Sequence, residues 1–363
     1  MTGTMSGLTF VTIAGVANAS FALPMKFTRR WAWENVWISW TFLALLLLPV
    51  VVAILSIPSL GAVYRDAGSG SIAVVMVCGA GWGLAQVLFG LSIDAIGIGL
   101  TFSIVLGVSA AVGSLIPLLR LQHVPGAVLA DGPIFLGIAL VLAGVFACAA
   151  AGQMREKAHS GSEVKGRSFG VGLAVALCSG LCAASMNFGV AFGQPLLRSA
   201  TAHGASAQQV VNAVWLPLLA AGAIPNIGYC IFLLSRKHSW VNFRMRETPS
   251  NLGLAMVMAI LWFFSTALYG VATTQLGDLG VVVGWPVFMS SIVVTAGILG
   301  IFTGEWKQSG PKPVTLQIVG MILLVLAVVA LSRAQSHSSV TAHPDKVSQS
   351  EVNARIDREE AHI

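Results

Sequence analysis

The stretch WGLAQVLFGLSIDAIG, residues 82–97, returns 180 positions later as WFFSTALYGVATTQLG, residues 262–277. The offset pairs Trp82 with Trp262, Phe89 with Tyr269, Gly90 with Gly270 and Gly97 with Gly277. A second offset, of 165, lays GVANASF (15–21) over GLCAASM (180–186), with Gly15 on Gly180 and Ser20 on Ser185. Both offsets carry the first part of the chain onto the second. What the repeat means depends on how many elements each copy contains.

The 363 residues are 56% hydrophobic and 9% charged, and the mean hydropathy of +0.84 is that of an integral membrane protein. Apolar runs of about 20 residues, each long enough to cross a hydrocarbon core as a helix, are expected at 5–24, 36–57, 72–93, 96–119, 133–152, 168–193, 210–234, 251–272, 279–303 and 314–332. The break between the third and fourth is the shortest, around Asp94. Alternation of apolar and polar residues, the mark of a membrane β-barrel, is absent. The first run has no basic residues before it and Lys26, Arg29 and Arg30 after it, so it is expected to be a retained helix and not a leader.

Ten spans divide into two sets of five, and five is odd, so the second copy must enter the bilayer upside down. Inverted repeats let a carrier open one central site alternately to either side. The expected fold is therefore an all-α polytopic membrane protein: ten transmembrane helices in two inverted five-helix repeats, 1–157 and 158–333, with a polar flexible tail at 334–363.

Lys and Arg accumulate in cytoplasmic loops. One set of loops carries Lys26, Arg29 and Arg30, then Arg155, Lys157, Lys165 and Arg167, then Arg236, Lys237, Arg244 and Arg246, then Lys307 and Lys312. The opposite loops carry only Arg65, Arg120 and Arg198 ahead of the basic residues in and before the tail. Both termini are thus expected outside the cytoplasm.

The chemistry available is narrow. No G-x-x-x-x-G-K-[ST] and no HExxH occur, so neither an ATP-driven pump nor an enzyme is expected. Cys178 and Cys182 share a helix face without His or carboxylate neighbours, so no metal or other cofactor is expected. No Lys or Arg falls at mid-depth, which disfavours a permanently charged substrate. A nucleic-acid partner is not expected.

The polar and aromatic residues within the spans suit a small neutral sugar. Amides both donate and accept, as hydroxyls do, and indole faces cover the C–H face of a sugar ring. The candidate substrate contacts are Asn18, Trp82, Gln86, Asn187, Trp262, Tyr269, Gln275 and Trp285. Trp31, Trp33, Trp37 and Trp40 read as an interfacial belt, the last three on one helix face. Glu34 in that stretch, Asp94 and Glu305 are the carboxylates available for gating or proton coupling, and Glu34 is expected to pair with Arg29 or Arg30.

Five stretches, KFTRRWAWENVW (26–37), GAGWGLAQVLFGLSIDAIGIGLTFSIVLGVSAAVGSLIP (79–117), AGQMREK (151–157), GAIPNIGYC (222–230) and GILGIFTGEWKQSGPKPVTLQIVG (297–320), resemble the L-rhamnose/proton symporter family of the drug/metabolite transporter superfamily. The first and last combine Trp, Glu and cations at fixed spacing. The resemblance implies a bacterial inner-membrane carrier importing a deoxy-hexose with a proton, its partners being the sugar, the proton and the lipid bilayer. The architecture also admits an exporter of another metabolite, or a receptor or scaffold that transports nothing. The charge asymmetry predicts that a C-terminal reporter active only in the cytoplasm stays silent; activity there contradicts the orientation.

Overall fold

The computed structural model describes residues 2–122, 131–160, 166–302, 304, 306 and 309–341. Among these the chain is entirely helical: α1 (Thr2–Ser20), α2 (Trp33–Thr41), α3 (Leu48–Ser56), α4 (Leu60–Ala67), α5 (Ser69–Ile96), α6 (Ile98–Gln122), α7 (Asp131–Ser160), α8 (Gly166–Phe192), α9 (Gln194–Ala202), α10 (Asn212–Arg236), α11 (Thr248–Leu276), α12 (Gly280–Phe302) and α13 (Pro311–Thr341). A π-helical stretch, Phe42–Leu47, joins α2 to α3 in one rod.

Nine of these segments are long and apolar enough to cross a membrane among the described residues, and a shorter apolar helix, Ile104–Leu119, lies within α6. The chain is a multi-pass membrane protein. The fourth expected span, 96–119, falls on that shorter helix. The break before it is at Gly97 and not around Asp94: Gly97 has φ +82° and ends α5, its N–H donating to Ile93 O at 3.0 Å. Glycine is needed there because a side chain disfavours that backbone region. Gly277 ends α11 in the same way, with φ +69°.

The remaining boundaries follow from residues that cannot continue a helix or that start one cheaply. Proline in the first turn, where its missing N–H costs nothing, opens α9, α11 and α13. Short α4 and α9 lie against each other in the loops after α3 and α8. Helix α13 continues through Thr341, and the rest of the polar C-terminal segment is outside the described residues.

The most extensive helix pairings are α7 with α13, α5 with α8, α5 with α10 and α1 with α11, followed by α6 with α8, α6 with α7 and α1 with α12. Small residues allow these approaches. A Cβ on Gly79 would collide with Leu218 O, and one on Gly83 with Gly222 O, so α5 and α10 touch backbone to backbone. Gly83→Ala is accordingly expected to destabilise the folded protein by about 1–3 kcal/mol. Gly228→Ala, where nothing lies within 4 Å, changes stability by no more than about 1 kcal/mol in either direction. Thermal unfolding in detergent separates the two; equal midpoints contradict the packing.

Candidate functional site

Three groups of side chains stand between the first and second parts of the chain. The deepest polar one centres on Asn187 of α8, which is fully buried. Its Nδ2 donates to Gly113 O of α6 at 2.8 Å and to Val281 O of α12 at 2.9 Å, and its Oδ1 accepts from the Tyr269 hydroxyl of α11 at 2.5 Å. Tyr269 is also fully buried, its ring against Trp285 at 5.6 Å and Phe288 at 5.0 Å. The Trp285 indole donates in turn to Ser109 O at 2.9 Å. Glycine at 113 makes room for that indole. Four helices are thus tied at one level by one amide and two aromatic donors.

A cavity of about 830 Å³ lies next to this group. Val281, whose carbonyl Asn187 holds, is part of its wall, together with Gln194, Arg198, Thr201, Thr273 and Thr274. Thr273 is one helical turn beyond Tyr269, so the buried Asn187–Tyr269 pair lies behind the cavity wall, linked to it through Val281. The cavity opens among α9, the end of α11 and the start of α12. At the same end of the bundle Ser6 donates to Gln275 Oε1 at 2.8 Å. Tyr64 of α4 donates to Ala213 O at 3.1 Å, and burial pushes its phenol well above the usual range, so it stays a neutral donor.

The second group is aromatic. Trp33, Trp37, Trp40, Trp262 and Trp82 follow one another with ring centroids 5.0, 4.6, 5.3 and 5.4 Å apart. Trp33 is 39% exposed whereas Trp40 is 1% exposed. The expected interfacial belt therefore does not hold as a set: Trp31 is buried, and Trp40 points into the bundle because its face of α2 meets Trp262 and Phe21. Trp37 donates to Asn226 Oδ1 at 3.1 Å, and Asn226 Nδ2 donates to Gly222 O at 3.0 Å and to Gly83 O at 3.2 Å. Asn18 Nδ2 donates to Ser265 Oγ at 2.9 Å, one turn from Trp262.

The third group closes the opposite end. Glu34, fully buried, accepts from Ser239 Oγ at 2.7 Å and pairs with Lys237 Nζ at 3.2 Å. Among the described side chains it is the one fully buried acidic or basic group. Beside it, Asn35 accepts from Ala32 N at 3.1 Å and from Asn242 Nδ2 at 3.0 Å, and donates to Ser239 O at 3.0 Å. Asn251 brackets Arg29, donating to its carbonyl at 2.9 Å and accepting from its N–H at 3.2 Å. Arg30, the expected partner of Glu34, instead lies 3.6 Å from Glu247. Its left-handed backbone, φ +61°, turns the chain before α2.

Of the candidate substrate contacts, Asn187, Tyr269 and Trp285 come together, Trp82 and Trp262 come together elsewhere, and Asn18 adjoins the latter through Ser265. Gln275 stands apart at the cavity end, and Gln86 is half-buried on α5. Asp94 is in α5 with its side chain outside the described residues, and Glu305 is outside them altogether. Lys237, Ser239 and Asn226 were not singled out from sequence for these contacts, since their partners lie about 190 to 205 positions away. Trp40 was legible only as one of three indoles on a helix face. No cluster of three or more His, Cys, Asp or Glu side chains forms among the described residues.

A family model described as L-rhamnose-proton symport protein matches residues 2–335. Among similar proteins is the L-rhamnose-proton symporter of Cronobacter sakazakii, 27% identical over 330 residues that cover 88% of this chain and 95% of that protein. The L-rhamnose-proton symporter of Mannheimia succiniciproducens is 28% identical over 326 residues, 87% of this chain and 93% of the relative. That of Shigella dysenteriae is 25% identical over 331 residues, 88% and 95% respectively. A match of this extent, on a bundle of membrane-crossing helices, makes the chain a member of the L-rhamnose-proton symport protein family.

Proposed function

We propose that this protein imports L-rhamnose or a closely related deoxy-hexose with a proton across the bacterial inner membrane, by alternating access. The observation that carries this is the family match over residues 2–335. The family is one of transporters and not of enzymes.

The two-fold plan expected from sequence underlies the mechanism: ten helices, with α6 as the fourth, in two inverted halves. Exchanging the halves turns the pairing of α5 with α8 into that of α11 with α1, and the pairing of α6 with α8 into that of α12 with α1; all four occur. Gly180 faces Val108 of α6 as Gly15 faces Ser291 of α12, in matched positions on matched helix pairs. Gly97 and Gly277 both end their helices at positive φ. Trp82 and Trp262, matched by the same offset, touch at 5.4 Å. These correspondences support an axis running between the halves near those two indoles.

The two ends of the bundle are in opposite conditions. The basic loops, assigned to the cytoplasm, are locked by Glu34, Asn35 and Asn251, whereas the cavity opens at the other end. That combination fits a carrier facing outward, with both termini on the outer side. A sugar entering the cavity meets Thr273, Thr274 and Gln194, and reaches Asn187 and Tyr269 only once the wall at Thr273 and Val281 gives way; it can then take over their hydrogen bonds. Trp285 supports Tyr269, and Gln275 and Ser6 flank the entrance.

Glu34 is the carboxylate best situated to link the proton to opening. Adding a proton removes its charge, and with it the attraction to Lys237 that closes the inner end. Lys237 is 54% exposed, so the pair contributes about 1 kcal/mol at most. A lock of that strength can be released within a transport cycle.

In cells lacking their own carrier, labelled L-rhamnose should accumulate and a protonophore should abolish accumulation; uptake that ignores the protonophore contradicts the coupling. Glu34→Gln should insert normally, slow uptake by up to about fivefold, as loss of about 1 kcal/mol implies, and lose its stimulation by acid when the pH is lowered on both sides of the membrane. A normal rate with normal acid stimulation rejects this role. Tyr269→Phe removes the donor to Asn187 and should raise the apparent KM about two- to tenfold, the weight of one hydrogen bond; an unchanged KM removes the pair from the sugar site.

A further inference from the structure

The indole N–H groups are not used alike. Trp31 donates to Asn242 O at 3.1 Å, Trp37 to Asn226 Oδ1 at 3.1 Å and Trp285 to Ser109 O at 2.9 Å. Those of Trp40, Trp215 and Trp306 are buried without a partner. Trp215 Nε1 is pressed against the backbone at Gly270, and Trp306 lies under the Arg155 guanidinium at 4.9 Å. Trp40 is different because it lies in the middle of the five-ring chain, between Trp37 and Trp262, where the two halves meet. Buried donors are normally satisfied, so one left open on a path between moving halves calls for a ligand that comes and goes.

We propose that Trp40, Trp82 and Trp262 form an inner sugar station, in which the Trp40 N–H donates to one hydroxyl of the sugar on its way to the cytoplasm. The proposal rests on the transport function above and extends it from the outer cavity to the inner half of the path. Trp40 meets Trp262 edge to face, with an interplanar angle of 86°, while Trp82 and Trp262 are inclined by only 30°. Parting the halves therefore exposes indole faces toward a common gap with one donor at its edge. Faces of this kind take the apolar C–H side of a sugar, and a single donor selects a hydroxyl. The chain of rings then continues through Trp37 to Trp33, which is exposed at the locked end. Access to the station from that end depends on the lock at Glu34, Lys237 and Ser239, at the start of the same helix that carries Trp40.

The test compares L-rhamnose with analogues that each lack one hydroxyl, as competitors of labelled L-rhamnose uptake, in the unaltered protein and in Trp40→Phe. The variant keeps an aromatic face and loses the N–H. Its apparent affinity for L-rhamnose should fall about two- to tenfold. The same loss should appear for every analogue except one, the analogue lacking the hydroxyl that Trp40 contacts, for which the variant and the unaltered protein should be equal. A uniform loss across all analogues, or no loss, overturns the station and leaves Trp40 a packing residue. If Trp40→Phe does not insert, a benzothiophene analogue of tryptophan at position 40, which replaces N–H by sulfur at nearly unchanged shape, makes the same comparison. Failure of the unaltered protein to take up L-rhamnose removes the transport function itself, whereas normal uptake with an unaffected variant removes the station alone.

Discussion

A buried amide in a hydrocarbon-clad bundle has nowhere to turn but to the protein, since each unmet hydrogen bond there costs about 1–3 kcal/mol. Asn187 meets this constraint by holding three other helices: two through backbone carbonyls at Gly113 and Val281, and one through the Tyr269 hydroxyl. Those bonds fix the level at which α6, α8, α11 and α12 cross, next to the cavity that Val281 lines. The same requirement makes the pair suitable for a sugar. Only a ligand that offers both donors and acceptors can replace what Asn187 and Tyr269 give each other.

The inner end is built on different terms. Its contacts are numerous, but they involve loop residues, partly exposed, and each is individually weak. Asn35, Asn251, Trp31 and Glu34 each reach across from the first part of the chain to the second, or receive a group that does. Glu34 differs from the others because its charge is removable. A proton on this carboxylate changes the balance at the inner end and leaves the backbone-close packing of α5 on α10 as it is. Selective weakness at the lock is what a carrier that opens its two ends in turn needs.

Hydropathy made most of the spans legible, because about 20 consecutive apolar residues have few alternatives to crossing a membrane. It is least informative at 96–119, where α6 holds only a shorter apolar stretch, and the break it places around Asp94 falls at Gly97, where the backbone turns. The self-comparison pairs Gly15 with Gly180 and Gly97 with Gly277; the first two each pack close to a facing helix and the last two each end a helix at positive φ. Pairings across the chain were not legible. Sequence proximity pairs Glu34 with Arg29 or Arg30, but its partners are Lys237 and Ser239, because the short 3₁₀ helix Ser239–Arg244 folds back over the start of α2. Trp40 was assigned to the interface by residue type, yet the helix face it shares with Trp37 turns inward as the helix rises from the loop.

The central claim is that the two ends open reciprocally around one path. Its most direct test is labelling by a membrane-impermeant thiol reagent of single cysteines at Thr274, in the cavity wall, and at Ser39, on α2 behind the lock, in a background without native cysteines. Reagent is added from each side, with and without L-rhamnose under an inward proton gradient. The account predicts that substrate and gradient together slow labelling at 274 from outside and speed labelling at 39 from inside. Rates that rise or fall together, or that do not move, contradict it.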